Sequence, residues 1–420
     1  MSKNPKTEYD VIVIGGGSSG MIAAGRAAEM GASVCILEKN DELGKKLKIT
    51  GGGRCNITNA EFDIKVFLEK FPQAKNFLYS PFSQFSSKDT FDFFESRDLP
   101  LVVEAKKRAF PHTQRAYDVY RVLEKYIRKG KVDVYIQNPV VKIQSNEKKN
   151  IQSVYTPHGR FFGKKFILAT GGFAAPETGS TGDGFKFLKE LGHTVSSPNP
   201  NVVPLTSNEE WVKNLSGTTW SFLRLSFIQN DKVHVKKLGK ILFTHFGISG
   251  PLVLNSSYEV RELLEQGDVD ASLDFFPDTE FTDLDKRLQK LLDANNKELK
   301  NILPDIIHKK ISEAIMKRIP GLEPNTKGNS ITKEMRRAIT HKLKDLRFNI
   351  SGTLGYDKAV IADGGVLLSE VNFKTMQSAK HDNLYLLGDI LNINRPSGGY
   401  SLQLCWTTGW IAGTHSAENI

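Results

Sequence analysis

Long apolar runs are missing from this 420-residue sequence. No stretch reaches the roughly 18 apolar residues that a membrane-spanning helix needs, so we expect no membrane span. The first eight residues are polar and lack the apolar segment of a secretory signal. The only cysteines are Cys35, Cys55 and Cys405, too few and too scattered for a disulfide framework or a zinc site. We therefore expect a cytoplasmic protein without metal.

Motifs of hydrolases and metalloenzymes are also missing. The sequence contains no H-E-x-x-H, no C-x-x-C pair and no Ser/His/Asp constellation, so hydrolysis and metal chemistry are unsupported. Its apolar content of 39% and charged content of 25% are ordinary for a soluble globular protein. A chain of this length is expected to form two or three structural units.

Positive charge is present in excess and is unevenly distributed. The net charge is +10, and residues 281–350 contribute +7 of it through sixteen Lys/Arg against nine Asp/Glu. Six basic residues recur there at spacings that gather on one helical flank: Lys333, Arg336, Arg337, Lys342, Lys344 and Arg347. Such a flank can neutralise RNA phosphates, or it can be an ordinary solvated helix face.

The N-terminal sequence predicts a βαβ unit. Residues 9–14 are apolar on both faces and end at glycine, which is typical of a buried parallel strand. Residues 19–30 follow as a helix with small apolar residues on one side, closed by Gly31. Residues 33–37 are a second buried strand, so strand, glycine turn, helix and strand fall within about 30 residues.

The turn of this unit carries a dinucleotide-binding fingerprint. Gly15, Gly17 and Gly20 fit G-x-G-x-x-G between a strand and a helix. The first permits a tight turn, the second lets the backbone approach a diphosphate, and the third allows close helix–strand packing. N–H groups at the helix start can then hold the phosphates. Glu38 ends the second strand, where a carboxylate accepts hydrogen bonds from the ribose hydroxyls.

Three later features favour FAD over NAD. Glycines follow two further predicted strands, at residues 170–172 and at Gly388, and Asp389 comes directly after the second of them. Residues 398–403 open a final helix whose positive end can stabilise the negative charge of reduced flavin. No second G-x-G-x-x-G follows a strand, so NAD(P)H is expected only as a transient electron donor.

Five segments resemble the bacterial NAD(P)/FAD-dependent oxidoreductases known as HI0933-like flavoproteins. They are residues 43–56 (LGKKLKITGGGRCN), 169–172 (ATGG), 178–184 (TGSTGDG), 243–251 (FTHFGISGP) and 398–400 (GGY). The resemblance implies an α/β fold: a glutathione-reductase-like FAD-binding Rossmann domain with an inserted small β-barrel and a helical insert domain. The implied boundaries are 1–195 with 351–420 for the FAD domain, 196–275 with 335–350 for the barrel, and 276–334 for the helical insert.

The activities of this family leave the substrate open. They include reduction of a uridine of 23S ribosomal RNA to dihydrouridine, reduction of steroid-like bile acids and oxidation of aminoacetone. Our leading hypothesis is the uridine reduction, with ribosomal RNA bound by the basic helical insert. The alternatives are a small-molecule enzyme, either an enone reductase or an amine oxidase, and a non-catalytic flavin-binding redox or assembly factor. Residues 393–397 replace a more acidic loop of the family, a difference that bears on the choice of substrate.

Candidate catalytic residues are Arg54, Cys55 and His245. Three successive glycines at 51–53 let the backbone pass close to a flat ligand. Arg54 can supply positive charge near flavin or substrate, or brace two domains. Cys55 can protonate a carbon after hydride transfer, or pack beneath the flavin. His245 can polarise a carbonyl, or hold a turn.

The predicted cofactor-binding residues combine the fingerprint, the strand ends and the family motifs. They are Gly15, Gly17, Ser19, Gly20, Glu38, Lys39, Lys46, Gly53, Arg54, Cys55, Val141, Thr170, Gly171, Gly388, Asp389, Gly399, Tyr400 and Ser401.

Overall fold

The computed structural model describes residues 7–147, 149–294, 296–355, 361–418 and 420. The chain divides into two units, one formed by Met1–Pro200 together with Tyr356–Ile420 and the other by Asn201–Gly355. The first unit is therefore interrupted by the second, as the scattered glycine-ended strands indicated. We call them the cofactor unit and the inserted unit.

Strands occur in both units. The strands are β1 (Glu8–Ile14), β2 (Val34–Leu37), β3 (Thr58–Asn59), β4 (Leu101–Glu104), β5 (Arg108–Pro111), β6 (Asp133–Tyr135), β7 (Lys142–Ser145), β8 (Ile151–Thr156), β9 (Gly159–Leu168), β10 (Val195–Asn201), β11 (Leu205–Thr206), β12 (Thr219–Gln229), β13 (Lys232–Thr244), β14 (Gly247–Ser249), β15 (Val269–Asp274), β16 (Leu346–Ile350), β17 (Gly352–Thr353), β18 (Ile361–Val366) and β19 (Leu384–Leu386).

Helices likewise occur in both units, and α15 is the longest at 18 residues. The helices are α1 (Ser18–Glu29), α2 (Lys45–Ile49), α3 (Ile64–Leu68), α4 (Lys75–Gln84), α5 (Ser87–Glu95), α6 (Ala116–Lys129), α7 (Asp183–Glu190), α8 (Glu210–Asn214), α9 (Pro251–Leu254), α10 (Ser257–Leu264), α11 (Phe281–Asp293), α12 (Leu299–Ile302), α13 (Lys309–Met316), α14 (Lys333–Lys344) and α15 (Tyr400–Ala417). In the part of the chain that the structure describes, no helix is both long and apolar enough to cross a bilayer.

The main sheet of the cofactor unit is of the Rossmann type. Its strand order is β6-β2-β1-β9-β8-β7, and β19 also pairs with β9. β1 lies parallel to β2 on one side and to β9 on the other, and β19 lies parallel to β9. Val11, Ile12 and Val13 of β1 are fully buried because both faces of the sheet are covered. The predicted strand, helix and strand of the βαβ unit are thus confirmed as β1, α1 and β2.

Small residues bring α1 and α15 close together. A Cβ atom at Gly409 would lie 2.4 Å from Ile22 and one at Gly413 would lie 2.5 Å from the Ala23 carbonyl oxygen. On its other side α1 meets α6, where Gly25 leaves room for the Tyr126 ring. These contacts hold the start of α1, which carries the fingerprint, between the sheet and two helices.

The inserted unit combines one sheet with a group of helices. The sheet order is β16-β15-β12-β13-β14-β11-β17. Among the residues that the structure describes, the two outer strands β16 and β17 do not pair with each other. Leu284 and Leu288 of α11 belong to the same hydrophobic cluster as Leu273 and Phe348 of the sheet. The predicted β-barrel, the separate helical insert and their boundaries therefore stay predictions. One expectation was wrong: Arg347 lies in β16 rather than on a helical flank, because α14 ends at Lys344.

Candidate cofactor site

The turn between β1 and α1 has its shape because of three glycines. Gly15 adopts φ +105°, and a Cβ atom there would lie 2.5 Å from the Ala169 carbonyl oxygen. A Cβ atom at Gly20 would lie 2.0 Å from the Gly15 oxygen, whereas one at Gly17 would meet nothing within 4 Å. The first and third glycines are thus required by backbone contacts, and the second faces open space.

The start of α1 is suited to bind an anion. Gly17 is its N-cap and provides no side-chain hydrogen bond to the first turn, which contains Ser18, Ser19 and Gly20. The first N–H groups of a helix have no partner inside the helix, and the helix dipole is positive at this end. A diphosphate in the open space beside Gly17 would supply the missing acceptors.

Glu38 is positioned by backbone groups at the end of β2. Its carboxylate accepts hydrogen bonds from the Gly16 N–H at 2.7 Å and from the Asn40 N–H at 2.8 Å. The side chain is buried, so both carboxylate oxygens are held beside the glycine turn. The remaining lone pairs can accept hydrogen bonds from ribose hydroxyls.

The glycine-rich segment 178–184 closes on the residues after Glu38. The Lys39 ammonium donates to the Asp183 carboxylate at 2.7 Å, and the Asn40 side-chain amide donates to the Thr178 carbonyl at 3.1 Å. Gly179 has φ +101°, and a Cβ atom there would lie 2.5 Å from the Asn40 side chain. Sequence reasoning found this segment as a motif but did not predict that it borders the adenosine end of the site.

Thr170 and Gly171 follow β9 next to the glycine turn. The Thr170 hydroxyl is buried and has no hydrogen-bond partner among the residues described, and Gly171 adopts φ +74°. Asn138, which was not predicted, likewise has a buried side-chain oxygen without a partner, and its N–H donates to the Glu38 carbonyl at 2.8 Å. A group bound beside the glycine turn would supply the partners that these two buried atoms lack.

Gly388 and Asp389 follow β19 as predicted. Gly388 adopts φ +69°, and its N–H donates to the Thr408 hydroxyl at 3.1 Å. A Cβ atom at Gly388 would lie 2.8 Å from the Ser19 hydroxyl, so Asp389 comes next to the start of α1. Half-buried Lys46 also interacts with Asp389, and desolvation lowers the pKa of its ammonium group.

A second loop meets the start of α15. Gly51, Gly52 and Gly53 all have left-handed φ values, between +63° and +85°, and Cβ atoms at Gly52 and Gly53 would face open space. The Asn56 side chain, oriented with its oxygen toward α15, accepts a hydrogen bond from the Gly399 N–H at 2.9 Å. The structure therefore brings residues 51–56 together with the N-cap of α15, where the flavin ring was expected.

Arg54 is held in one orientation. Its guanidinium lies over the Phe110 ring, 4.3 Å from the ring centroid. Nε donates to the Gln114 side-chain oxygen at 2.8 Å, and Nη2 contacts both Gln114 and the Glu104 carboxylate. These two partners were not predicted, because they lie 50 and 60 residues further along the chain. The arginine remains partly exposed.

Cys55 is fully buried and has the left-handed φ of +61°, which is uncommon outside glycine. Burial raises the pKa of its thiol well above the ordinary value, since the thiolate would be desolvated. The thiol is therefore a weak acid in these surroundings. This environment favours the packing role over the proton-donating role, and the catalytic assignment stays a prediction.

The remaining predicted residues have different surroundings. Tyr400 is buried at the first turn of α15, where its ring lies 4.9 Å from that of Phe67, and Ser401 follows it. Val141 is exposed and its N–H donates to the Tyr155 carbonyl. His245 lies in the inserted unit, exposed in the turn between β13 and β14. The roles of these residues stay predictions.

FAD fits the residues of the cofactor unit. Glu38 would hold the adenosine ribose, the start of α1 would hold the diphosphate, and residues 51–56 with the α15 N-cap would border the flavin ring. When bound, FAD supplies hydride and electron transfer. Within the described part of the chain, no group of three His, Cys, Asp or Glu side chains could hold a metal ion.

Comparison with known proteins shows the family to which this chain belongs. The HI0933-like protein Rossmann domain matches residues 9–415. The chain is 30% identical to a 3-dehydro-bile acid delta(4,6)-reductase of Clostridium scindens over 97% of this chain and 98% of that protein. It is 27% identical to the ribosomal RNA dihydrouridine synthase of Escherichia coli over 96% of both chains. A 3-ketosteroid-delta4-(5alpha)-dehydrogenase from Rhodococcus jostii has a similar fold, with a TM-score of 0.55 at 13% identity, covering 100% of this chain and 99% of that one.

Proposed function

Since this chain belongs to the HI0933-like family and is an FAD-dependent oxidoreductase, we propose that it reduces a carbon–carbon double bond conjugated to a carbonyl group. Hydride added to the far carbon of such a system moves negative charge onto the carbonyl oxygen. The reaction therefore needs a fixed positive group at that oxygen. The observation that carries the proposal is the guanidinium of Arg54, oriented by Gln114 and Glu104 at the ring end of the site.

The orientation of Arg54 matters because a preorganised cation stabilises developing charge without having to move. Phe110 covers one face of the guanidinium, and Gln114 and Glu104 occupy Nε and Nη2. Nη1 has no hydrogen bond to the residues that the structure describes, so it is the nitrogen that would meet a substrate oxygen. The glycines at 52 and 53 leave open space beside it. A flat conjugated group would fit such a surface.

The names of two relatives support the same reaction type. A delta(4,6)-reductase of a 3-dehydro-bile acid acts on double bonds that are conjugated with a ketone. Forming dihydrouridine saturates the ring double bond of uracil, which is also conjugated to a carbonyl. The substrates differ greatly in size, but the electronic demand on the site is the same. An amine oxidase would need no such cation.

We infer a small conjugated ketone as the substrate, rather than a uridine in ribosomal RNA. Three of the six basic residues considered for RNA binding have acidic partners inside the inserted unit. Arg336 pairs with Asp285 at 3.0 Å, Lys344 with Asp274 at 2.9 Å, and Arg347 with Asp345 at 2.9 Å. Binding of RNA phosphates depends on unpaired surface charge, so these paired cations contribute less to it. Arg54 is also paired with an acid, but its proposed role is that of an oriented hydrogen-bond donor to a single oxygen.

The electron donor in this proposal is NAD(P)H, docking transiently at the flavin. The test has two anaerobic half-reactions followed by stopped-flow absorbance. NADH or NADPH should bleach the bound flavin. A steroid 4-en-3-one should then reoxidise it, whereas the matched saturated 3-ketone should not.

Other outcomes would separate the alternatives. Reoxidation by a uridine-containing ribosomal RNA fragment, but not by the enone, would favour the RNA reaction. Reduction of the flavin by a small amine, with rapid oxygen consumption, would favour an amine oxidase. A flavin that neither NAD(P)H nor an amine can bleach would overturn the proposal in favour of a non-catalytic role.

A further inference from the structure

Arg395 is a buried arginine that sequence reasoning passed over. It lies between β19 and α15, and its side chain has no exposed surface. Nη1 donates to the Asp389 carboxylate at 2.6 Å. Nε and Nη2 are also buried, and they have no hydrogen-bond partner among the residues that the structure describes. One of the three nitrogens is therefore paired and two are not.

Such an arrangement is unstable without a further partner. A buried donor that lacks an acceptor loses its hydration without compensation, and the loss is larger when the donor is charged. The pair with Asp389 compensates the charge but leaves the N–H groups of two nitrogens unmatched. These donors point to an acceptor that is bound, since the described part of the chain supplies none.

The surroundings of Arg395 indicate which acceptor this is. Its partner Asp389 keeps a fifth of its side chain exposed, so the pair can be reached from the carboxylate side. The Lys46 ammonium group interacts electrostatically with both Asp389 and Arg395. The thiol of Cys405 lies 4.0 Å from Asp389, and a Cβ atom at Gly388, which precedes Asp389, would lie 2.8 Å from the hydroxyl of Ser19 in the first turn of α1. Arg395 thus belongs to the neighbourhood of the anion site at the start of α1.

We propose that Arg395 is a FAD-binding residue whose Nε and Nη2 donate hydrogen bonds to the diphosphate of the cofactor. An arginine presents two parallel N–H groups that match two phosphate oxygens, a geometry that lysine cannot reproduce. Asp389 orients the guanidinium through Nη1 and leaves the other edge for the ligand. The assignment does not depend on which substrate the enzyme reduces.

The test compares Arg395→Met with the wild-type holoenzyme. Methionine keeps the length of the side chain and removes all of its donors. FAD release on dilution, followed by the recovery of flavin fluorescence, should show a dissociation constant raised by about 10- to 100-fold, as for lost hydrogen bonds to a charged group. Arg395→Lys should fall between the two. Arg128→Met, an exposed arginine on α6, should bind FAD like the wild type.

A double-mutant cycle separates ligand binding from a structural role. If Arg395 only neutralises Asp389, then Arg395→Met should have no further effect on FAD binding in the Asp389→Asn background. If it binds the diphosphate, the loss should persist in that background. The double variant also removes both buried charges, so it provides a folded reference should the single variant unfold.

An unchanged FAD dissociation constant in Arg395→Met would overturn the proposal. A lower midpoint potential of the bound flavin in that variant would then show that the arginine interacts with the reduced ring instead of the diphosphate. The midpoint potential can be measured by dye equilibration during slow reduction of the holoenzyme.

Discussion

The two ends of the cofactor site are built differently. At the adenosine end, Gly15, Gly20 and Glu38 contact main-chain atoms of their own βαβ unit, and the contacting residues are at most 22 positions apart. The one exception among these contacts is the Ala169 carbonyl, which lies against Gly15. At the ring end, Gln114 from a distant segment orients Arg54, and the loop residue Asn56 accepts a hydrogen bond from Gly399, which lies more than 300 positions further along the chain. The glycine turn at the first end is therefore set mostly by local backbone geometry, although residues 178–184 also close on it, whereas the orientation of Arg54 at the second end depends on tertiary packing.

This contrast predicts which property each kind of substitution should change. Changes at the adenosine end should alter folding and cofactor affinity, because the same contacts shape the turn and the ligand site. Changes at the ring end should alter catalysis while FAD stays bound, because the loop is supported from outside. Four predictions test this division.

The largest effect is expected from Gly20→Ala. The added methyl would lie 2.0 Å from the Gly15 oxygen, a contact that neither backbone can relieve by a side-chain rotation. We expect a loss of about 3 kcal/mol or more in the free energy of unfolding, measured by urea denaturation. The variant should also be purified without yellow cofactor.

Gly17→Ala is the matched control for this prediction. Its methyl would meet nothing within 4 Å, so the apoprotein should lose only about 0.5 kcal/mol. The methyl would however enter the space assigned to the diphosphate, so FAD binding should weaken by on the order of tenfold or more. Equal stability of the two variants would contradict the account of the turn.

Arg54→Leu should lower kcat/KM for the enone by about 10²- to 10³-fold, as for removal of one group that stabilises a developing oxyanion. The FAD dissociation constant should stay within about twofold of the wild type, since the loop is supported from elsewhere. Gln114→Leu should have a smaller effect in the same direction, because it only orients the guanidinium.

The control is Arg115→Leu, a neighbouring arginine with 70% of its side chain exposed. Its kinetics should match those of the wild type. Loss of FAD from Arg54→Leu, rather than loss of turnover, would show that the ring end is as closely tied to cofactor binding as the adenosine end. That result would remove the division between the two ends.

Glu38→Ala should weaken FAD binding by about 10- to 100-fold, the usual effect of losing hydrogen bonds to a charged group. FMN lacks the adenosine that Glu38 is assigned to hold, so FMN affinity should not change. Fluorescence titration of the FAD-free protein with both cofactors measures this. Glu42→Ala, an exposed acid nearby that pairs with Lys48, serves as the control. Equal weakening of FMN would indicate a collapsed turn instead.

Sequence reasoning was more successful at the adenosine end for a physical reason. The left-handed φ of Gly15 and the close contact of Gly20 with the Gly15 oxygen arise within a strand–turn–helix passage about ten residues long, so the glycine spacing reports them, although the Ala169 carbonyl also crowds Gly15. Arg395 could not be recognised in this way, since only the folded chain shows that its guanidinium is buried beside Asp389. The same is true of Glu104, whose pairing with Arg54 crosses 50 residues.

A similar limit applies to the basic residues of the inserted unit. Their periodicity predicted a charged helical flank, and α14 does contain most of them. The sequence pattern could not show that Asp285 and Asp274 approach Arg336 and Lys344 from other elements. Spacing along a helix reports which residues share a face, but not which partners occupy that face.

The smallest effect is expected from Cys55→Ala, and it tests whether the ring-end loop takes part in chemistry or only in packing. Burial keeps the thiol protonated as the pH rises past the ordinary range of cysteine, so the wild-type activity should show no loss from thiol ionisation between about pH 7 and pH 9.

If the thiol only packs, the Cys55→Ala variant should retain FAD and turn over within about threefold of the wild type. A fall of about 100-fold with FAD still bound, the usual effect of removing a general acid, would instead make Cys55 the proton donor. The ring end would then supply both the cation and the acid, whereas a small effect would leave Arg54 to act with a proton from solvent.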